Sequence, residues 1–485
     1  MKLNKIIVLS LACFCLPALA DSNTDAVILS TQTTVKPGTR INLDRTAATI
    51  ENGDVWIWGY RNMGLQGNGQ VHVDKASQPA RVEKFVDLGL DIMQIATGRF
   101  HILALDENGD VWGWGRNKYR EATGGVGATD KYVGTPVKVL QGKNVINIYC
   151  SDNASYALTA NGEVWAWGRG NRGEMGNNSK HLKNDVEKIP SDFFDNRPVV
   201  TMGVGQRSAY AINDRGRVYA WGLTVSYKFC KQEKDRCTYN VKPEVINAAL
   251  LDHTNSNGGP SATGINSGAD IKQIIGGRNF MVYHTYNGEV YGMGQLRYLT
   301  DESFDEDDLE EDEDDLYIDI DDEQRIERDE EKDDEKFDDD LRDDRHNRAD
   351  APIQIIGKDP NEAKGVTATT YCRYKGCFAI TKHRSLLTWG RRNSSRLSQI
   401  LYGAKKTGAV VQRHPKGKLT KIDSGKKHLI YWNDKGEAYG VGSGNYRKFD
   451  LSNSHNRDWN TPKLDFLMNA MHRVYGEDYV LGQAK

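Results

Sequence analysis

Long hydrophobic runs are missing from this chain of 485 residues. No stretch approaches the roughly 18 consecutive apolar residues of a membrane-crossing helix, so no segment reads as a span. Proline is scarce, at 12 residues, and cysteine numbers only seven, with no Cys-x2-Cys pair of the kind that holds zinc. A Walker-type phosphate loop and a Gly-x-Ser-x-Gly nucleophile turn are also lacking. Outside one acidic segment no carboxylate pair stands out for glycosidic cleavage. The expectation is a chain with no cofactor and no metal that is a binder and not an enzyme. Net charge is small too, at 64 Lys+Arg against 67 Asp+Glu, or -3. That balance is local cancellation. Residues 301–350 hold 29 acidic and 7 basic side chains, or -22, which leaves (64 - 7) - (67 - 29) = +19 on the rest.

What is present begins with a leader. Met1 to Lys5 carry two lysines, Ile6 to Leu16 are largely apolar, and Ala18-Leu19-Ala20 is the small-x-small pattern of a cleavage site, followed by Asp21. Residues 1–20 are therefore expected to be a signal peptide and the mature chain, 21–485, to be exported, periplasmic or secreted. Cys13 and Cys15 leave with the leader, and five cysteines enter a compartment where disulfides persist. Cys230 and Cys237 close a short isolated loop, so a disulfide is expected there. Cys372 and Cys377 flank a turn and suit a cross-hairpin bond. Cys150 is left as a buried free thiol.

The length would suggest several domains unless something repeats, and something does. Asn52-Gly53-Asp54-Val55-Trp56-Ile57-Trp58-Gly59 recurs at Asn108 to Gly115 and at Asn161 to Gly168, with degenerate copies ending at Gly222, Gly294, Gly390 and Gly442. Asn-Gly between apolar runs is a hairpin signal, read here as two turn residues at positive φ. The closing glycines are spaced 56, 53, 54, 72, 96 and 52 residues apart, a period slightly over fifty that fits four strands with their turns. A repeated four-stranded antiparallel unit is the blade of a β-propeller, which hides its edges by radial closure. The all-β fold expected is a seven-bladed propeller. Thr461 to Leu464 and Arg473 to Leu481 look like opening strands of an eighth copy that would join the first blade and close the ring. Residues 301–350 form an acidic insertion with a composition that favours disorder.

These motifs resemble the regulator of chromosome condensation repeat family, whose blades carry a glycine-x-x-histidine hairpin followed by Gly-x-Val-x-x-Trp-Gly. Gly98-Arg99-Phe100-His101 and Gly425-Lys426-Lys427-His428 match the hairpin. The resemblance covers the mature chain except the insertion and implies the propeller fold. Its members include exchange factors for the small GTPase Ran, scaffolds and exported bacterial propellers, so it implies binding or nucleotide exchange without placing a functional residue.

Trp58, Trp114, Trp167, Trp221 and Trp389, each followed by Gly59, Gly115, Gly168, Gly222 and Gly390, sit in strict phase and read as blade packing. His101 and His428 occupy one repeat position and read as structural hydrogen-bonding residues. The connections after each Trp-Gly emerge on one face, and they are basic. They hold Arg116, Asn117, Lys118, Tyr119 and Arg120, then Arg169 and Arg172, Arg391 and Arg392, and Arg447 and Lys448, with tyrosines such as Tyr60 and Tyr227 interleaved. Arg and Tyr make contact hot spots, so this face is expected to bind an acidic protein surface, with anionic polysaccharide or nucleic acid as other ligands of the same chemistry. Exchange on a host GTPase and a glycan-active hydrolase are the alternative activities. The protein is expected to be a monomer. The insertion follows Gly294 and would leave on this same face, where it could gate the basic loops.

Overall fold

Each Val-Trp-x-Trp-Gly segment forms a strand whose faces are both covered. In the second repeat, His101–Asp106 and Val111–Arg116 are buried at all six positions, which is why these strands need no polar alternation. The computed structural model describes residues 46–60, 62–72, 77–223, 239–246, 271–277, 280–286, 289–295, 348–356, 366–373, 376–381, 386–390, 411–413, 417–424, 428–442 and 463–482. The leader, Cys230 and Cys237, Arg391 and Arg392, Arg447 and Lys448, and all but the last three residues of the insertion lie outside the described residues. Those last three belong to the strand Arg348–Ile356, so the fold resumes before the expected boundary.

Among the described residues there are seven antiparallel sheets, five of four strands and two of three. The second sheet is representative, with strands Ile92–Thr97, His101–Asp106, Val111–Arg116 and Tyr132–Leu140 hydrogen-bonded in chain order. Its second and third strands meet at the Asn-Gly turn, and its third strand ends at the Trp-Gly pair. The corresponding ends of all the sheets are named the Asn-Gly end and the Trp-Gly end after these motifs, although the fourth sheet turns at Arg215-Gly216 and the seventh closes at Val441-Gly442. The turn chemistry differs from expectation in one respect. Among the described Asn-Gly turns only Asn52-Gly53 has both residues at positive φ, at 51° and 81°. Asn108-Gly109 sits in a longer turn where Gly109 alone is left-handed and Asp106 accepts from the Asn108 and Asp110 amides at 2.9 and 3.0 Å, a three-residue loop that needs a single glycine.

The cores lie between consecutive sheets. Val55 and Ile57 of the first sheet pack with Ile102, Ala104 and Trp112 of the second. Leu103 and Val111 of the second pack with Ile148 and Ala157 of the third. Trp58 of the first sheet also shares a core with Trp432 of the seventh. Tryptophan indoles tie neighbours together at a fixed register. Trp114 Nε1 donates to Leu65 O at 3.0 Å, Trp167 to Glu121 O at 3.0 Å and Trp221 to Glu174 O at 2.9 Å, each acceptor on the preceding repeat. Their reading as packing residues therefore gains a hydrogen-bonded role, since a buried indole N–H needs an acceptor.

The C-terminal region corrects the sequence reading. Arg473 to Tyr475 end a helix, Asp465–Tyr475, and do not form a strand. Leu467, Met468, Ala470 and Met471 lie on one helical face and fill the core shared by Trp56, Trp58 and Trp432. Of Thr461 to Leu464, Lys463 bridges Tyr439 of the seventh sheet's last described strand. Beyond the helix the chain reaches the open edge of Thr46–Glu51, where the Gly482 amide donates to the Glu51 carboxylate at 3.2 Å.

Candidate functional site at the Trp-Gly end

The glycine of each Trp-Gly pair sets the geometry of this end. Gly115 and Gly168 have φ of 99° and 106°, and a Cβ on either would fall 2.6 and 2.7 Å from Phe100 O and Asn153 O. Those same carbonyls accept from the next residues, Arg116 N at 2.8 Å and Arg169 N at 2.9 Å. Only glycine lets the chain fold back so tightly over the first hairpin turn of its own sheet. The arginine that follows is thereby delivered to that turn. Neighbouring turns are linked in a row: Arg99 N donates to Asp152 O at 2.9 Å, and Asp152 N to Gln206 O at 3.1 Å. The glycine-x-x-histidine signal has a local cause as well, because a Cβ on Gly98 would sit 2.0 Å from the His101 ring.

The expected contact residues divide into two groups. Arg116, Asn117, Tyr119 and Arg169 are buried, at 2%, 2%, 7% and 6% exposure. Lys118, Arg120 and Arg172 are half-buried. The expectation that all of them are open contact side chains is therefore corrected for the first four, which brace the loops. Asn117 organises its loop by accepting from Thr123 N and Oγ1 at 3.2 Å and donating to Asp130 O at 3.1 Å. The arginines and rings alternate. Arg99 lies 5.5 Å from the Phe100 centroid, Arg116 lies 5.9 Å from Phe100 and 5.5 Å from Tyr119, and Arg169 lies 5.1 Å from Tyr119. Three guanidiniums and two rings thus form one cation-π ladder spanning the second and third sheets.

Two carboxylates unnoticed in the sequence reading complete the cluster. Glu121 and Glu174 are 1% and 2% exposed. Their Oε2 atoms accept from Tyr119 N at 2.6 Å and Arg172 N at 2.8 Å, fixing both loops. A signal existed: each stands six residues after its closing glycine, 121 - 115 and 174 - 168, where the first repeat has Leu65. Burial pushes the Glu174 carboxyl up, against the pull of Arg207 and Arg169. Burial, joined by repulsion from Arg169, brings the Arg207 guanidinium down to about 10, still charged at neutral pH. Arg207 interacts with Arg169, Arg172, Glu174 and Asp152, and Arg116 Nε lies 4.0 Å from Glu121 Oε1, so guanidiniums outnumber carboxylates within this buried cluster. Such a cluster favours carboxylate or phosphate.

His101 lies beneath the ladder. Its Nε2 is 2.9 Å from Ser155 Oγ, and that hydroxyl donates its single proton to Glu121 O at 2.7 Å. The imidazole must then donate from Nε2, which fixes the neutral tautomer. Burial, with repulsion from Arg116, holds its pKa down to about 3. Cys372 and Cys377 face each other across a strand pair and form a disulfide with Cα atoms 4.0 Å apart, while Cys150 is buried with its Sγ 4.0 Å from Ser155 Oγ. Among the described residues no group of three His, Cys, Asp or Glu side chains could hold a metal ion, and no helix is long and apolar enough to cross a membrane.

Models of the regulator of chromosome condensation (RCC1) repeat match residues 92–121, 145–174 and 161–212. The chain is similar to the mitochondrial RCC1 domain-containing protein RUG3 of Arabidopsis thaliana, 32% identical over 187 residues, 36% of this chain and 40% of that protein. It is similar to the probable E3 ubiquitin-protein ligase HERC4 of Rattus norvegicus, 30% identical over 176 residues that make up 36% of this chain and 16% of the ligase. The match thus spans two fifths of one relative and a sixth of the other. Among solved structures, yeast RCC1 (Prp20) bound to Kap60 superposes with a TM-score of 0.61 at 17% identity, covering 92% of this chain and 91% of that one. Prp20p of Saccharomyces cerevisiae, described with its binding to Gsp1p and histones, gives 0.60 at 17% over 88% and 87%. Human WBSCR16 gives 0.57 at 18% over 87% and 94%. At such identities the superpositions carry the fold. The chain thus carries regulator of chromosome condensation repeats at residues 92–121 and 145–212, in phase with its antiparallel sheets.

Proposed function

We propose that this chain is a seven-bladed binding propeller that engages an acidic macromolecular partner, foremost a protein, through its Trp-Gly end. The observation that carries the reading is the ladder of Arg99, Phe100, Arg116, Tyr119 and Arg169 with its excess of positive charge. Buried arginines held by rings fix positive charge beneath the loops, where it adds to the field that the half-buried Lys118, Arg120 and Arg172 present to a carboxylate. Lys118, Arg120 and Arg172, half-buried, are the contact residues, and Arg391, Arg392, Arg447 and Lys448 belong to the same set by their place after the closing glycines in the sequence. Ring closure is supported by the core shared by the first and seventh sheets. It is also supported by Leu481-Gly482-Gln483, which repeats the pattern of Ile92-Met93-Gln94 and Ile271-Lys272-Gln273 that opens a sheet.

The reading extends to export with maturation at Asp21 and to a monomer in solution. Residues 301–350 act as an electrostatic gate. The strands that flank the insertion pair at Gln295 and Arg348, so both its stems leave from the Trp-Gly end. A tethered charge of -22 at millimolar effective concentration, on the order expected for a short flexible linker, competes with an acidic partner. Nucleotide exchange on a small GTPase is the second reading, favoured by the likeness to Prp20p, described with its binding to Gsp1p.

Two measurements on the full chain separate these readings. Charge reversal at Lys118, Arg120 and Arg172 together is expected to abolish a salt-sensitive interaction with an acidic partner while the fold persists. Unchanged binding overturns the assignment of this end. Accelerated nucleotide release from a purified GTPase by catalytic amounts of protein replaces the binding reading with the exchange reading.

A further inference from the structure

One residue of the Trp-Gly end stands in a backbone conformation that its repeat otherwise gives to glycine. The loops after the first three closing glycines are described, and they can be compared position by position. Gly64 and Gly173 lie five residues after their closing glycines, 64 - 59 and 173 - 168, with φ of 78° and 80°. The same place in the second loop, 120 - 115, holds Arg120 at φ 68°. A side chain is strained there, because its Cβ crowds the backbone in the left-handed region. The loop enforces the conformation from both sides, since Arg120 N donates to Asn117 O at 3.0 Å and Gly124 N donates to Arg120 O at 2.8 Å.

What Arg120 faces departs from the repeat as well. Val133, Asn184 and Asn240 each pair with the closing glycine of their own sheet, and the residue after each approaches the loop of the preceding sheet. A Cβ on Gly64 would lie 2.9 Å from Gly134 Cα, and one on Gly173 would lie 2.8 Å from Val241 Cα. In the second loop the corresponding neighbour is Asp185, and Arg120 Nη1 donates to its Oδ1 at 2.5 Å. Gly125 makes room for that carboxylate, because a Cβ on it would fall 2.0 Å from Asp185 Oδ1. Stability does not account for the pair. Its side chains are 39% and 57% exposed, and an ion pair so open to water returns little, whereas arginine bears a backbone cost that glycine would not. Strain held in place at a recognition surface points to a role for the side chain itself.

We infer that Arg120 is the residue of the Trp-Gly end that receives a partner's carboxylate, and that Asp185 is an internal carboxylate occupying its place until the partner arrives. This rests on the reading of that end as a surface for an acidic partner, and it names the contact that is exchanged. One carboxylate replaces another on the same guanidinium, which already presents its donors in the required direction. Asp185, more than half exposed, returns to water. The internal pair also sets a threshold, because a partner must outcompete Asp185 before it is held.

The test uses the full chain and a fluorescein-labelled octaglutamate peptide, followed by anisotropy at low salt. The parent is expected to bind saturably, and Asp185→Asn is expected to tighten binding about threefold, the gain from removing one exposed competing pair. Arg120→Gly is expected to weaken binding by a similar factor and to melt no lower than the parent, because glycine suits this φ. With Arg120→Gly already in place, Asp185→Asn is expected to change nothing, which separates displacement from a general loss of negative charge. Three results overturn the inference: unchanged affinity on Asp185→Asn, an equal gain with and without Arg120, or a marked fall in melting temperature for Arg120→Gly. Any of them leaves the reading of the Trp-Gly end standing, and the last makes the pair a staple between two sheets. A parent that binds the peptide no better than its Lys118→Glu, Arg172→Glu variant overturns that reading and the inference with it.

Discussion

Acidification should weaken this fold through His101 before its carboxylates are affected. The imidazole is fully buried, donates from Nε2 to Ser155 Oγ at 2.9 Å, and has Arg116 as its charged neighbour. Its folded pKa of about 3 compares with an unfolded value of about 6.5. A depressed histidine pKa means the unfolded chain binds more protons between those values. Stability is therefore complete above pH 6.5 and is lost as pH falls toward 3. At pH 5 the unfolded state is favoured by RT ln(1 + 10^1.5), or about 2 kcal/mol. Urea denaturation of the parent and of His101→Gln at pH 7 and pH 5 reads this directly. Glutamine keeps a donor toward Ser155 but cannot titrate. The variant starts from lower stability and is expected to lose about 2 kcal/mol less on acidification. Identical losses in parent and variant would show that the imidazole is not held neutral by its surroundings.

His284, buried and brought down to about 4 by burial and by Lys272, is expected to add a similar increment, so His101→Gln with His284→Gln should flatten the pH dependence more than either change alone. Glu174→Ala removes the carboxylate that accepts from the Arg172 amide and unpairs a buried charge cluster, a loss of about 3–5 kcal/mol, whereas Glu174→Gln keeps an acceptor and is expected to cost less than half of that; equal costs in a denaturation series exclude a carboxylate-specific role. Cys372→Ser with Cys377→Ser is expected to lower the thermal midpoint only slightly, since the bond closes a loop of 5 residues and short loops gain little, and a large drop in calorimetry contradicts that. Deletion of residues 481–485 should lower the thermal midpoint by several degrees if they complete the first sheet, and an unchanged midpoint removes ring closure by this route.

The repeat, the all-β class and the phase of the tryptophans were legible because each copy must satisfy the same local demands. A glycine must follow Trp114 and Trp167 for the backbone to pass Phe100 and Asn153, and an indole must meet the preceding loop. The C-terminal helix was not legible as a helix. Tyr475, Tyr479, Val474 and Val480 suggest a strand by propensity, and burial against Trp56 and Trp432 overrides it. The basic loops were legible as charge but not as burial. Nothing in Arg116 or Arg169 as letters tells that two rings flank the first and one covers the second, and the carboxylates that fix their loops stood at a repeat position that only the sheet geometry makes meaningful.

Site-specific photocrosslinking of the full chain, with the crosslinker placed in turn at Lys118, Arg120 and Arg172 of the Trp-Gly end and at Glu107, Asn161 and Asp214 of the Asn-Gly end, tests the central claim most directly. The account predicts that the first three positions capture one acidic partner, that capture disappears as salt rises because exposed pairs are screened over about 8 Å at physiological ionic strength, and that the last three do not capture it. The same partner captured equally from both ends, or capture from the first three positions that is indifferent to salt, would contradict it.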